Sequence, residues 1–194
     1  MAWLPENYEA PTSNNIYFRP QTGTSKIRIL GDFRHAHTAV MGYLGWKHTI
    51  DGNTPIRGNM DNFQAVKEAT DDAPKHFWAL TIWDYSDQAV KCWEITQATI
   101  QQALTELAKN EAWGDPRQYN ITITRKGEKL ETSYSLIAEP PISEPPKICI
   151  DKAKAAQIDL RELFIGESPF GVDKGSNEKP PVVIDQMPAG SAGL

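Results

Sequence analysis

The segment from Lys75 to Thr99 constrains the fold most strongly, because it places two apolar runs on either side of a short polar turn. The runs His76–Trp83 and Ala89–Ile95 alternate like strands, which predicts a β-hairpin. Trp78 points to one face of the first strand and Phe77 to the other, so both faces carry large rings. One apolar face is enough for a core. The second face is therefore either another buried layer or a platform on which a flat group such as a base can stack.

Alternating patterns predict further strands, and a helical period predicts one principal helix, Thr96–Trp113, with Thr96 as its cap. The segment Thr54–Pro74 has no strong period and predicts a long loop, with one or two helical turns at Phe63–Ala69. Asp151–Phe164 predicts one or two short helices that bury Ile158, Leu160, Leu163 and Phe164. The remaining predicted strands are Ser25–Phe33, Val40–Ile50, Tyr119–Arg125 and Leu130–Ile137.

A helix between the third and fourth principal strands is typical of an OB-fold. We therefore expect a mainly β protein with one principal helix: an OB-fold-like antiparallel barrel, a short C-terminal helical segment and a disordered tail. The predicted organisation is an N-terminal arm at 1–23 and an OB-fold core at 24–141. Because OB barrels bind single strands through a basic groove and aromatic platforms, we expect this core to be single-stranded DNA-binding. A helical extension packed on the core follows at 142–166, and a flexible tail rich in Gly, Pro and Ser at 167–194.

Composition limits the classes of protein. The net charge of -5 argues mildly against a nucleic-acid partner, but Arg19 to Lys67 contains seven Lys or Arg against three Asp, a local charge of +4. No run of 18 apolar residues and no signal peptide are found, so we expect no membrane span. Cys92 and Cys149 form no Cys-x-x-Cys pair and are interpreted as reduced thiols of a cytoplasmic protein.

Ordered blocks of residues between Lys26 and Pro141 resemble the single-stranded DNA-binding proteins of tailed bacteriophages, of the helix-destabilising replication type. The resemblance implies an OB-fold and weakly sequence-selective coating of transient single strands during phage replication or recombination, in the host cytoplasm and without catalysis. The blocks are Lys26–Leu30, Gly45–Trp46 with Pro55 and Arg57, His76–Ala79, Trp83–Tyr85, Glu94–Gln97 with Thr99–Ile100, Trp113–Arg117, and Tyr119 with Ile121–Arg125 and Gly127.

The chain departs from this family in two respects. Some relatives carry a zinc-binding Cys/His cluster in the core, and this chain has none, so no cofactor is expected. Many relatives end in a dense acidic tail that docks replication partners. Here the segment from Pro180 onward has Asp185 as its one acidic residue, which puts recruitment of phage replication or recombination proteins by an acidic tail in doubt.

Single-strand binding requires cations along the phosphates and rings beneath the bases. Each cation could instead lie on an ordinary solvated face without contacting phosphate. Most rings could instead pack in the core, and we place Trp78 there. Trp46 is favoured as a stacking residue because Lys47 and His48 follow it, and a bulge at the nearby glycines would bring Tyr43 to the same groove. The predicted DNA-binding residues are Lys26, Arg28, Tyr43, Trp46, Lys47, Arg57, Lys75, Phe77, Trp83, Lys91 and Trp93.

Other chemistries have weaker support. His35 and His37 are half of a metal site with no third ligand nearby in sequence, so no metal site is predicted. Asp84 and Glu94 flank the hairpin and are the carboxylates that a nuclease would use, but no catalytic motif accompanies them and we expect no enzyme. The alternative function is an OB-like protein-interaction module without nucleic-acid binding.

Overall fold

A computed structural model describes residues 16–127, 131–140 and 145–170 of the chain. Within these ranges it contains seven strands and four α-helices, and a 3-10 turn lies at Pro116–Gln118. The strands are β1 (Gly23–Ile29), β2 (Ala39–Thr49), β3 (Gly52–Asn59), β4 (Lys75–Asp84), β5 (Ala89–Ile95), β6 (Asn120–Lys126) and β7 (Ser133–Ala138). The helices are α1 (Phe63–Ala69), α2 (Ala98–Lys109), α3 (Lys147–Ala155) and α4 (Glu162–Ile165).

Strand β4 is the centre of the sheet, because it pairs with three others. β5 runs along one edge of β4, and β1 and β2 lie end to end along the other, where Ile29 faces Ile82 and Ala39 faces Leu80. β3 then pairs with β2, β6 with β1 and β7 with β6, all antiparallel. The predicted mainly β fold with one principal helix is confirmed. Within the described ranges the seven strands form one open sheet, which is consistent with an OB-like, partly open barrel.

Both faces of the central hairpin are buried, so the first of the two interpretations of its rings is correct. The inner face belongs to a core that joins β1, β4, β5 and β6 to Ile100 and Leu104 of α2. The outer face carries Phe77 and is covered by the C-terminal segment, in which Leu160 and Leu163 are fully buried. The predicted burial of this segment is therefore confirmed, with Ile158 and Phe164 partly buried beside them.

The long loop predicted over Thr54–Pro74 is wrong, because β3 and α1 occupy most of it. Gly52, with a φ of +129°, turns the chain so that β3 folds back along β2. The two strands approach closely: a Cβ on Gly42 would lie 2.1 Å from the carbonyl oxygen of Gly58. The sequence pattern is weak here because pairing with β2, not local periodicity, makes this strand. The predicted helical turns at Phe63–Ala69 are confirmed as α1.

Parts of the predicted N-terminal arm and C-terminal tail pack on the body of the protein. Residues 1–15 of the predicted arm lie outside the described residues, but the amide of Cys92 donates to the Ile16 carbonyl and the amide of Phe18 donates to the Cys92 carbonyl, both at 2.8 Å. The arm therefore docks on β5 from residue 16 onward. The predicted tail lies outside the described residues from 171, and before that point the amide of Asp159 donates to the Pro169 carbonyl. The N-cap position of helix α2 is Gln97, not Thr96, and its side chain makes no capping hydrogen bond.

Both cysteines of the chain are buried free thiols, as expected. In the part of the chain that the structure describes, no helix combines the length and apolar character needed to cross a membrane.

Candidate nucleic-acid interface

A cleft of about 780 Å³ opens beside the edge of β5 that faces away from β4. Its walls are the docked segment 16–20, the β2–β3 hairpin, the end of β5, the facing ends of β6 and β7, and residues 166–168. These parts come from five distant regions of the sequence and meet because β4 carries β5 on one edge and the other strands on the opposite edge. The lining contains four cations, Arg19, Arg57, Lys75 and Arg125, and three acids, Asp51, Glu94 and Glu167. Its rings are those of Tyr17, Phe18, Trp46, Trp93 and Tyr134.

Trp46 is the most exposed of the cleft's rings, with 38% of its surface accessible. It lies on β2 opposite Pro55 of β3, near the tip of the hairpin. The loop after α1 holds this position: the amide of Asp71 donates to the Trp46 carbonyl at 2.9 Å, and the amide of His48 donates to Asp71 Oδ2 at 2.7 Å. The backbone that presents the indole is therefore fixed, although the side chain is open to a ligand.

Arg57 forms a largely buried ion pair with Glu94 at the base of the cleft. Its Nε and Nη2 each donate to one carboxylate oxygen of Glu94 at 2.8 Å, a two-pronged arrangement of charge-assisted hydrogen bonds. Burial alone would lower the pKa of Arg57, but the charge and hydrogen bonds of Glu94 outweigh burial and raise it. Arg57 thus reaches the predicted groove, but Glu94 neutralises its charge.

The other cations of the cleft are better placed to meet an anion. Arg19 and Lys75 are exposed, and neither forms an ion pair within the described residues. Arg125 donates from Nη1 to the Pro20 carbonyl at 3.2 Å, while its buried Nε finds no hydrogen-bond partner in the described part of the chain. Three positively charged side chains therefore remain around the cleft that Trp46 lines.

The structure brings three of the predicted residues together at the cleft: Trp46, Arg57 and Lys75. Lys47 is exposed on the other face of β2, since neighbours on a strand alternate. Tyr43 also lies on that face, where its ring packs edge-on against Phe63 at 4.9 Å. The predicted bulge is wrong, because the β2–β3 register runs without interruption.

Three predicted stacking rings are core residues: Phe77, Trp83 and Trp93 are at most 2% exposed. Phe77 lies beneath Phe164 of α4, with the ring centroids 6.3 Å apart. Nζ of Lys152 in α3 lies 5.7 Å from the centroid of Trp83. Trp93 borders the cleft but packs edge-on against Phe18. Their predicted contact with bases is wrong because the C-terminal helices and the N-terminal segment cover them. Trp78 packs against the inner core, partly buried.

Three predicted cations are engaged inside the protein. Lys26 pairs with Glu139 at 2.6 Å and remains partly exposed. Arg28 is 1% exposed and donates from Nε to the Arg117 carbonyl at 2.7 Å; burial lowers its pKa. Lys91 is buried. Its ammonium pairs with the turn residue Asp87 and, at 2.9 Å, with Asp84. Buried, paired cations do not meet phosphates, so the assignments of Arg28 and Lys91 are wrong.

The carboxylates considered for a nuclease do not form one site. Asp84 faces Ala89 and Glu94 faces Ala79, so they lie five residue pairs apart on the hairpin, a separation of about 17 Å. Each is also paired with its own cation. The rings of His35 and His37 lie 6.0 Å apart, and among the described residues no cluster of three metal-ligating side chains exists.

Reasoning from the sequence missed Arg19, Arg125 and Tyr134. Arg19 was counted in the basic region, but nothing local distinguishes an arginine at a strand end, such as Arg125, from an ordinary solvated one. More than 100 residues separate Arg19 from Arg125, and only the docking of segment 16–20 beside β6 brings them together.

No protein-family model matches the chain, and no curated protein matches it significantly.

Proposed function

We propose that this protein binds single-stranded DNA in the cleft beside β5, with little sequence preference. The observation that carries the proposal is the exposed ring of Trp46 on a fixed hairpin, with Arg19, Lys75 and Arg125 around the same cleft. Single-strand binding proteins combine this pair of elements, because a base stacks on a ring while cations follow the phosphates.

The position of the cleft supports the same function. OB-folds bind oligonucleotides on their second and third strands and on the loops that enclose that face. β1 and β2 lie end to end along β4 and together correspond to the first strand of an OB-fold. In that correspondence β4 is the second OB-fold strand and β5 is the third. The cleft is bordered by β5, by the β2–β3 hairpin in the first connection, and by the β6–β7 ends. The C-terminal segment covers the rest of the outer face, which would confine the DNA to this rim.

In this proposal the protein coats transient single strands during phage replication or recombination, in the cytoplasm of the host cell and without catalysis. Contacts to other replication or recombination proteins would involve the C-terminal tail, beyond residue 170.

The test is titration of a labelled oligo(dT) by fluorescence anisotropy across a range of salt concentrations. Three phosphate contacts predict a slope of log K against log salt of about -2. Trp46→Ala should weaken binding by about 1–3 kcal/mol, or roughly 5- to 150-fold. Ile137→Ala, which trims an exposed apolar residue of β7 that does not line the cleft, is the matched control and should bind normally. Equal binding by the two variants, or binding insensitive to salt, would refute the proposal.

A protein-interaction module is the second candidate, favoured by the net charge of -5 and by the three acids in the cleft. An interface dominated by apolar burial would respond little to salt. The absence of oligo(dT) binding at low salt would favour this candidate.

A further inference from the structure

A row of large apolar side chains lies on the inner face of β2 and β4, on the opposite side of the sheet from Trp46. We call it the aromatic row: Phe33, Met41, Tyr43, Phe63 and Trp78. Phe33 packs edge-on against Trp78 at 5.5 Å, Met41 faces Trp78 across the two strands, and Tyr43 packs edge-on against Phe63 at 4.9 Å. Since Met41 and Tyr43 are two residues apart on one strand, the row is continuous.

The aromatic row is open to solvent. Phe33, Met41 and Phe63 are each 37% to 42% exposed, and Tyr43 and Trp78 are partly exposed between them. Isolated exposed apolar residues are common on protein surfaces, but a contiguous patch of this kind marks a site of interaction.

The charges at the Phe33 end of the row cancel. At its Phe33 end, Asp32 accepts from Arg34 and from Arg117 at 2.6 Å each, and Asp115 pairs with Arg117. Two arginines and two aspartates therefore neutralise each other. The exposed cation on this face of β2, Lys47, lies beyond Tyr43 at the other end of the row, so the Phe33–Trp78 end favours an uncharged, apolar partner over nucleic acid.

The chain itself contains a segment with this chemistry, Pro180–Ile184, which reads Pro-Pro-Val-Val-Ile and carries no charge. It begins ten residues after Phe170, which pairs with Ile158 near the outer face of the sheet. Among the described strands, only β3 lies between β2 and the nearest edge of the sheet, and neighbouring strands are about 4.8 Å apart. Ten residues span up to about 33 Å, which is long enough to pass around this edge to the row. Proline-rich segments dock on aromatic-lined surfaces because their extended form is already ordered before binding.

We propose that the aromatic row is the docking site of the Pro180–Ile184 segment of the same molecule. The segment lays its prolines and branched side chains on Phe33, Trp78 and Met41. The tail thereby leaves the Trp46 cleft, on the other face, open to its own ligand. The proposal does not depend on nucleic-acid binding.

The test uses the full chain without nucleic acid. A nitroxide is attached to Gln186→Cys, two residues beyond the segment, while the buried native cysteines stay unlabelled. All six tryptophans are replaced by 5-fluorotryptophan, and their fluorine signals are assigned by single Trp→Phe changes. We expect loss of the Trp78 signal, a smaller effect on Trp46, and recovery of both when ascorbate reduces the nitroxide.

Val183→Asp in the labelled chain should restore the Trp78 signal, because a charge cannot be buried on the row without cost. Ala189→Asp is the matched control, since it places the same charge in the tail outside the segment, and the loss should persist. An unaffected Trp78 signal would overturn the proposal, as would a stronger effect on Trp46, which would place the tail in the cleft. Broadening seen when nitroxide and fluorine are on different molecules would assign the row to a neighbouring copy and overturn the intramolecular docking.

Discussion

Glu94→Gln should strengthen single-strand binding while weakening the fold. The carboxylate of Glu94 holds the guanidinium of Arg57 through two hydrogen bonds of 2.8 Å. The amide keeps the shape and one acceptor but loses the charge, so the cleft changes from four cations against three acids to four against two. Arg57 then becomes available as a further phosphate contact.

The magnitudes follow from the geometry. One more neutralised phosphate steepens the slope of log K against log salt by about 0.7, an additional loss of about 2.5-fold in affinity between 50 and 200 mM salt. Losing one charge-assisted hydrogen bond in a largely buried pair should lower the free energy of unfolding by about 2 kcal/mol. Oligo(dT) anisotropy over a salt series measures the first quantity, and urea denaturation measures the second.

Glu167→Gln is the control for this experiment, because it removes an exposed carboxylate from the same cleft and no ion pair to it is found among the described residues. It should change the salt slope less and leave stability unchanged. If Glu94→Gln destabilises the protein without altering the slope, the released guanidinium does not meet phosphate, and our placement of the strand near Arg57 is wrong.

Three further outcomes are expected. Leu163→Ala should lower the free energy of unfolding by about 2–5 kcal/mol, because this fully buried side chain seals the outer face of the sheet, whereas exposed Ile137→Ala should change it by less than about 0.5 kcal/mol in the same urea experiment. The pKa of His48 is raised from 6.5 by hydrogen bonds to Asn53 and Asp72, so NMR titration should give a midpoint above 6.5 that falls in Asp72→Asn. The resulting stabilisation is complete below pH 6.5 and disappears as pH rises through the raised value. Gly42→Ala should disrupt β2–β3 pairing, seen as lost amide protection in hydrogen exchange, because the new Cβ would meet a backbone carbonyl.

Local sequence patterns were sufficient to predict an element where the apolar residues of that element pack directly in the core. The β4–β5 hairpin and α2 were predicted from the period of their apolar residues, and Ile100 and Leu104 of α2 are buried as that period requires. The strand β3 was missed because its sequence, with two glycines and a proline inside the strand, has little strand propensity. It exists because β2 supplies its hydrogen-bond partners.

The same distinction applies to the candidate site. Trp46 was predicted from a local feature, a ring followed by Lys47 and His48, and it is exposed at the cleft. Phe77 and Trp83 were judged by their strand alone, yet helices more than 60 residues later in the chain cover them. Side-chain alternation on a strand assigns a face, but not what packs on that face.

The sequence by itself determined the class of fold, the central hairpin and the principal helix, and it predicted Trp46 as an accessible ring. Each of these features depends on the spacing of apolar residues or on the residues next to it in the chain, and both can be seen in the sequence. Only the tertiary structure decided that Arg57 is neutralised by Glu94, that both faces of the hairpin are buried, and that Arg19 and Arg125 meet at one cleft. Those features depend on contacts between residues far apart in the chain, and such contacts leave no local pattern because many different side chains can make them.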